Sequence, residues 1–363
     1  MDIFFKIGIS MASRYDEIRD SLRSEIISGK ISPGQTIPTR VAIQQQYGAG
    51  PMTVNRALID LQDDGFLEAR RGQGTRVVDY PPHLYNYQLA FGNHPNVGEE
   101  MWPRFYNVLV QAAATMDAKG PLRMKCLYGV DGHVDSDGMA QLSRLVESQR
   151  TAGIIFASSP HKLEESGLLD RTDIPKVAFR TGRGTVGHYS TIALDMSSFV
   201  EKALDHLATL NCKRLAVLTV GGLIERYSQQ LMHGAKARGM EMQPYWNLLM
   251  SQKEAHSAAN ITHLLFNPSQ TKRPDALIIM DDNLVEHATS GLIAAGVTDQ
   301  VKVVAHCNFP WPAPSPISIR RLGFDGPQAL KFSLSQLDLL REGHQPTHHD
   351  LKPVFEDEVS VYS

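Results

Sequence analysis

Three arginines, Arg70, Arg71 and Arg76, stand around the flexible tip Gly72-Gln73-Gly74. Guanidinium groups stay charged and repel one another, so gathering them beside glycines that allow close backbone approach implies a negative partner. Shortly upstream, Pro51 opens a helical period with Val54, Leu58 and Leu61 on one face, which leaves Met52, Thr53, Asn55 and Arg56 on or near its leading turn. Such groups at the start of a helix suit base edges in a major groove, while arginines on a glycine loop meet phosphates or enter a narrow minor groove. The implied partner is double-stranded DNA. Its expected contacts are those four helix residues, Thr39 and Arg40 at the preceding turn, and Arg70, Arg71, Gly72, Gln73, Gly74 and Thr75 at the tip.

The elements that must position these groups are legible on either side. YDEIRDSLRSEIISGKI places Tyr15, Ile18, Leu22 and Ile26 at helical spacing before Gly29. SPGQTIPT turns the chain at Pro33-Gly34, and RVAIQQQY repeats an apolar period through Val41, Ile43 and Tyr47 until Gly48. The third period runs to Gly65, after which FLEAR and TRVVD read as strands joined by RGQG. Helix, helix, helix, basic hairpin is the order of a winged helix-turn-helix, expected over residues 14–79 after a tail at 1–13.

This stretch resembles the DNA-binding domain of the gluconate-repressor (GntR) regulators, most densely in IPTR (37–40), MTVNRAL (52–58), DGFLEAR (64–70) and RGQGTRVV (71–78). The family usually has Ser-Glu-Arg after the proline and an arginine before Met-Thr-Val. Here Thr39-Arg40-Val41 and Pro51 occupy those places, and Asn55 stands where arginine is common.

Tyr80-Pro81-Pro82-His83 suggests a stiff, extended connector, so residues 80–86 are taken as a linker. Beyond it, YQLAFG, RMKCLYGV, AGIIFASS, PKVAFRT, RLAVLTVGG, DALIIMDD and VKVVAHCN are short apolar runs, most of them separated by helix-length segments. Near-continuous apolar strands alternating with helices mean parallel sheets covered on both faces, and residues 87–363 allow two such lobes. The fold class is α/β with an N-terminal winged helix. Ligands of open parallel sheets sit beyond the carboxyl ends of strands. Ser158-Ser159, Arg180, Gly221-Gly222 with Arg226 beyond, Asp281-Asp282 and His306 to Asn308 stand there, a set suited to a polyhydroxylated or carboxylated small molecule. Asp282 is expected to cap the following helix. Trp311, among prolines, is open to stacking on a sugar or anchoring its loop.

This region is similar to the two-lobed, periplasmic-binding-protein-like effector domain of the lactose-repressor (LacI) family, most clearly in AGIIFASS, IPKVAFRT and STIALDMSSFVEKALDHLATLNCKRLAVLT. The resemblance assigns ligand-holding roles to Arg226, in GGLIERYSQQLMHGAKARG, and to Asp281, where the family has an asparagine. It puts Asn308 nearest the family's ligand aspartate, which His306-Cys307-Asn308 lacks.

Composition narrows the classes. Apolar residues make up 42% and charged residues 21%, with a net charge of −3, so bulk charge does not drive nucleic-acid binding. Residues 1–80 hold ten basic and ten acidic side chains, and any DNA-binding face must segregate its charge. Cys126, Cys212 and Cys307 are odd in number and far apart, as expected of reduced thiols in a cytoplasmic protein, and no run is long enough to span a membrane. His344, His348 and His349 lie in loop-like QPTHHD, where a solvated segment is expected and not a metal site. Nucleotide-loop, hydrolase-elbow and zincin motifs are missing, so neither catalysis nor a cofactor is expected. The expectation is a repressor acting as a homodimer on a pseudo-palindromic operator and controlled by a sugar-like effector. The alternatives are an aminotransferase-like regulator domain holding a cofactor, and a C-terminal domain that only dimerises.

Overall fold

The computed structural model describes residues 13–95, 102–133, 136–180 and 187–359. At the N-terminal end, helix α1 (Arg14–Ile27) starts on Ser13, whose hydroxyl accepts from the Asp16 N–H, and buries Ile18, Leu22 and Ile26. Thr39 caps α2 (Arg40–Tyr47) in the same way through the Ala42 N–H. Pro51 opens α3 (Pro51–Asp63), which buries Val54, Ala57, Leu58 and Leu61. Gly65, at φ 81°, turns the chain into β1 (Leu67–Arg70), which pairs antiparallel with β2 (Gly74–Val77). These faces close one small core around Leu61 and Phe66. Val41 departs from the expected period: it is 61% exposed, because α2 is short and buries only Ile43.

Pro81 is extended, but Pro82 begins one helical turn, α4 (Pro82–Tyr85), in place of the extended connector that two prolines suggested. A proline's fixed φ suits a first helical turn equally well. His83 on this turn stacks on Phe66, with ring centroids 5.7 Å apart. Burial, and after it the Arg341 guanidinium, holds the His83 imidazole down at about 4, against an ordinary 6.5. The folded protein therefore keeps His83 neutral while the unfolded chain takes up a proton. Stability present above pH 6.5 is lost as the pH falls towards 4, by up to about 3 kcal/mol. His83→Phe keeps a ring and removes the titration, so between about pH 6.5 and 5 its thermal midpoint should fall less than that of wild type. Equal slopes would refute the assignment.

The first lobe follows as β3 (Asn86–Ala90), α5 (Arg104–Lys119), β4 (Arg123–Leu127), α6 (Asp137–Glu147), β5 (Gly153–Phe156), β6 (Lys176–Arg180) and β7 (Ser190–Leu194). The second lobe contains α7 (Met196–Thr209), β8 (Leu215–Val220), α8 (Leu223–Ala237), β9 (Asn247–Met250), α9 (Ser257–Phe266), β10 (Ala276–Ile279), α10 (Val285–Ala294), β11 (Lys302–Phe309) and β12 (Arg320–Asp325). The chain then returns to the first lobe through α11 (Gly326–Arg341) and β13 (His348–Leu351), and ends in the second with β14 (Val354–Phe355).

Each lobe is a six-stranded sheet, in the orders β4-β3-β5-β6-β7-β13 and β9-β8-β10-β11-β12-β14. Among the described residues only β14 runs antiparallel within them. Apolar clusters lie on both faces of each sheet, which is why GIIF, LAVLTV and ALII are buried without alternation. The crossings between lobes are tied together: Asp195 N–H donates to Leu351 O at 3.0 Å, and the Lys352 ammonium pairs with the Asp195 carboxylate. Burial alone would raise the Asp195 carboxyl, but Lys352 and Ser198 outweigh it and hold it at about 2.

Several elements escaped the sequence reading: β7, β9, β12, β13, α9 and α11. His348 and His349, expected in a solvated loop, stand in β13, where backbone pairing with β7 holds a strand that lacks apolar alternation. The His348 ring lies 2.8 Å from Thr191 Oγ1 and 3.2 Å from Asp350 Oδ1. All three cysteines are free thiols.

Candidate DNA-reading face and effector cleft

A groove of about 630 Å³ opens between the start of α2 and the β1–β2 hairpin. Its walls bring Thr39 and Arg40 to Arg70, Arg71, Gly72, Gln73, Gly74 and Thr75. Met52, Thr53, Asn55 and Arg56 are not part of that wall. Met52 projects from the first turn of α3 at 83% exposure. The Arg56 guanidinium rests 4.8 Å from the Tyr15 ring on α1. The Thr39 hydroxyl is already occupied as the α2 cap.

The hairpin arginines are not equivalent, contrary to the expectation that their clustering serves only a partner. Arg76 is 16% exposed and pairs with Glu68 and with Asp79, so it ties the hairpin together. Glu68 also takes Arg70, at 3.1 Å. Arg40 and Arg71 are exposed, and neither forms an ion pair with a described residue. The role of Glu68 was missed, although it lies directly across the ladder from Arg76 and the period-2 alternation of the two strands carried that signal.

In the first lobe, β3 neighbours both β4 and β5, so the chain leaves it in opposite directions and opens a crevice at the carboxyl ends of β3 and β5. A cavity of about 300 Å³ sits there, lined by Asn93, Ser158, Ser159, His161 and Lys162 among others. Ser158 is thus placed at this switch point, whereas Arg180, at the end of β6, is not on its wall. Asn93 follows β3 as Ser158 follows β5 and was overlooked. His161 and Lys162 belong to a 3-10 turn that has no periodic signature.

The second lobe repeats the switch between β8 and β10. Arg226 lies exposed on the first turn of α8, where the Glu225 carboxylate accepts the Gly222 N–H at 2.8 Å. Asp281, not Asp282, is the capping residue, and it caps the 3-10 turn Asp282–Leu284 ahead of α10: its Oδ1 accepts the Asn283 N–H at 2.9 Å, and Gln252 Nε2 donates to its Oδ2 at 2.6 Å. Asp282 is 4% exposed, and burial pushes its carboxyl up while His306 opposes. Asn308, 3% exposed, donates its Nδ2 to Asp282 at 2.8 Å and so faces protein instead of the open cleft. Trp311 is 45% exposed, while Ala313 two residues on is buried in the core of the second lobe.

A winged helix with a polar groove, the head, stands ahead of a body of two parallel-sheet lobes whose switch points bear polar groups. Residues 14–77 match the sequence profile of bacterial regulatory proteins of the gntR family, and the head is a GntR-type DNA-binding domain. Curated relatives include the mannosyl-D-glycerate transport/metabolism system repressor MngR of Escherichia coli, 38% identical over 76 residues, which are 21% of this chain and 32% of that protein. The arabinose metabolism transcriptional repressor of Geobacillus stearothermophilus is 36% identical over 64 residues, 18% of each chain. The matches thus span about a third or less of these relatives' length. The body has the fold of LacI-family regulators: one from Lactobacillus casei with bound sucrose superposes with a TM-score of 0.53 at 17% identity, over 75% of this chain and 98% of that one. An uncharacterized protein from Actinobacillus succinogenes has a TM-score of 0.51 at 16% identity, over 75% and 97%.

Proposed function

We propose that the chain is a transcriptional repressor that binds operator DNA through its head and releases or tightens that grip when a sugar or sugar derivative enters the cleft between its lobes. It acts in the cytoplasm as a homodimer, since two heads on a pseudo-palindromic site multiply the modest affinity of one. Thr39, Arg40, Met52, Thr53, Asn55, Arg56 and the hairpin tip form the DNA face. Ser158, Arg180, Arg226 and Asp281 hold the effector, and Asn308 reaches it only by leaving Asp282. The proposed division places the head at 14–79, the connector at 80–86 and the effector body from 87 on.

The observation that carries this reading is the coexistence on one chain of a groove flanked by two uncommitted arginines and a pair of sheet switch points with polar side chains. The sugar-metabolism repressors among the relatives and the sucrose held by a similar fold support the effector class. A thermal-shift screen of sugars and sugar acids tests it, because a ligand at about 100 times its Kd stabilises by about 2.7 kcal/mol. Arg226→Gln and Asp281→Asn should each abolish a hit. A screen without hits, or a shift that survives both substitutions, would overturn the assignment.

A further inference from the structure

The head and the first lobe have separate apolar cores, yet a run of aromatic and guanidinium groups joins them. Arg23 of α1, 8% exposed, lies 5.7 Å from the centre of the Phe66 ring, and Phe66 stacks on His83 of α4. Arg341, the last residue of α11, lies 5.9 Å from the Tyr87 ring and donates to Tyr87 Oη at 3.1 Å and Ala152 O at 2.9 Å. Beside this stack Asp64, at the end of α3, accepts Arg23 from its own domain and Arg150 from the first lobe, at 2.7 and 2.5 Å. A crevice of about 530 Å³ separates the remaining charges there, with Asp60 and Asp63 on the head wall and Arg144 on the lobe wall.

The opposite end of α11 is at a crossing between lobes. A Cβ on its first residue, Gly326, would lie 2.2 Å from Val108 Cγ1 on α5. Sixteen residues give α11 a length of about 24 Å, a stiff path from the crossing to the stack.

We propose that the head is docked and not loosely tethered: the Arg23–Phe66–His83 stack and the Asp64–Arg150 clamp seat it on the first lobe, where Arg341 ties the end of α11 to Tyr87 and Ala152, and α11 is the rod that carries movement at the interlobe crossing to this joint. The seat contains charges and stacked rings, the kind of contact that has a made and a broken state. The docking half stands independently of the proposed function. The rod half rests on the body being a hinged binder.

Spin labels on Ser28→Cys and Ser335→Cys, both exposed sites, in a Cys126→Ser background of the full chain, read the joint without DNA or sugar. Pulsed electron resonance should give one narrow distance distribution, at least twofold broader in Arg150→Met/Arg341→Met. Arg150→Met alone, a part-exposed change that spares the fold, should broaden it to a smaller degree. Gly326→Ala should displace the mean distance, and Arg341→Met should cancel that displacement. A broad distribution in wild type overturns docking. A narrow one in the double variant overturns the clamp, and a mean unmoved by Gly326→Ala overturns the rod. None of these outcomes depends on an effector, so failure here is distinct from failure of the sugar-responsive reading.

Discussion

Arg40→Ala/Arg71→Ala should weaken duplex-DNA binding about 60-fold at about 0.1 M salt and reduce the steepness of the log–log salt dependence by about 1.8. Each phosphate neutralised releases close to one condensed counterion, so each lost contact costs about 0.9 in slope and just under tenfold in affinity at that salt. These two residues are chosen because both flank the groove and neither is paired to a described acid. Arg76→Ala should behave differently. Its guanidinium is held by Glu68 and Asp79, so its loss loosens the hairpin and lowers the thermal midpoint, with little change in slope. Fluorescence anisotropy of a labelled short duplex at several potassium chloride concentrations separates the two. An unchanged slope in the Arg40/Arg71 double variant would show that the groove does not face DNA.

That contrast marks where sequence reading stops. The head was legible because its signals are local: α3 carries its apolar face within one helical period, and Gly65 ends it where a left-handed residue is needed. Which arginine stays free was not, since it depends on the register that sets Glu68 opposite Arg76. In the body, strand–helix alternation revealed two lobes, and the strand ends pointed to both switch points. That Asp281 caps and Asp282 does not was hidden because a 3-10 turn, Asp282–Leu284, precedes α10: Asp281 caps that turn, and α10 itself starts on Leu284 without a side-chain cap. The strand HHDL had no pattern to find, because its place is fixed by β7, more than 150 positions earlier in the chain. The return of α11 to the first lobe, on which the proposed joint depends, is a property of topology that no window of sequence contains.

Phe66→Ala should unfold the head while leaving the body intact. Phe66 is fully buried, and deleting such a ring costs about 3–5 kcal/mol. At about 0.05–0.15 kcal/mol per residue a head of this size has about 3–10 kcal/mol, and domains this small sit low in that range, so the loss removes much or all of its margin. The body has its own cores and no such deficit. Its three tryptophans, Trp102, Trp246 and Trp311, all lie outside the head, so tryptophan emission follows the body while DNA anisotropy follows the head. The expected result is loss of DNA binding at a temperature where the tryptophan midpoint has moved little. Leu61→Ala, buried in the same core but with no part in the Arg23–His83 stack, serves as the comparison, at about 2–5 kcal/mol. Should Phe66→Ala lower the tryptophan midpoint by several degrees more than Leu61→Ala, the excess is the stabilisation that docking lends the body. If Phe66→Ala binds duplex DNA like wild type, the head does not rely on this core and the separate-domain account fails.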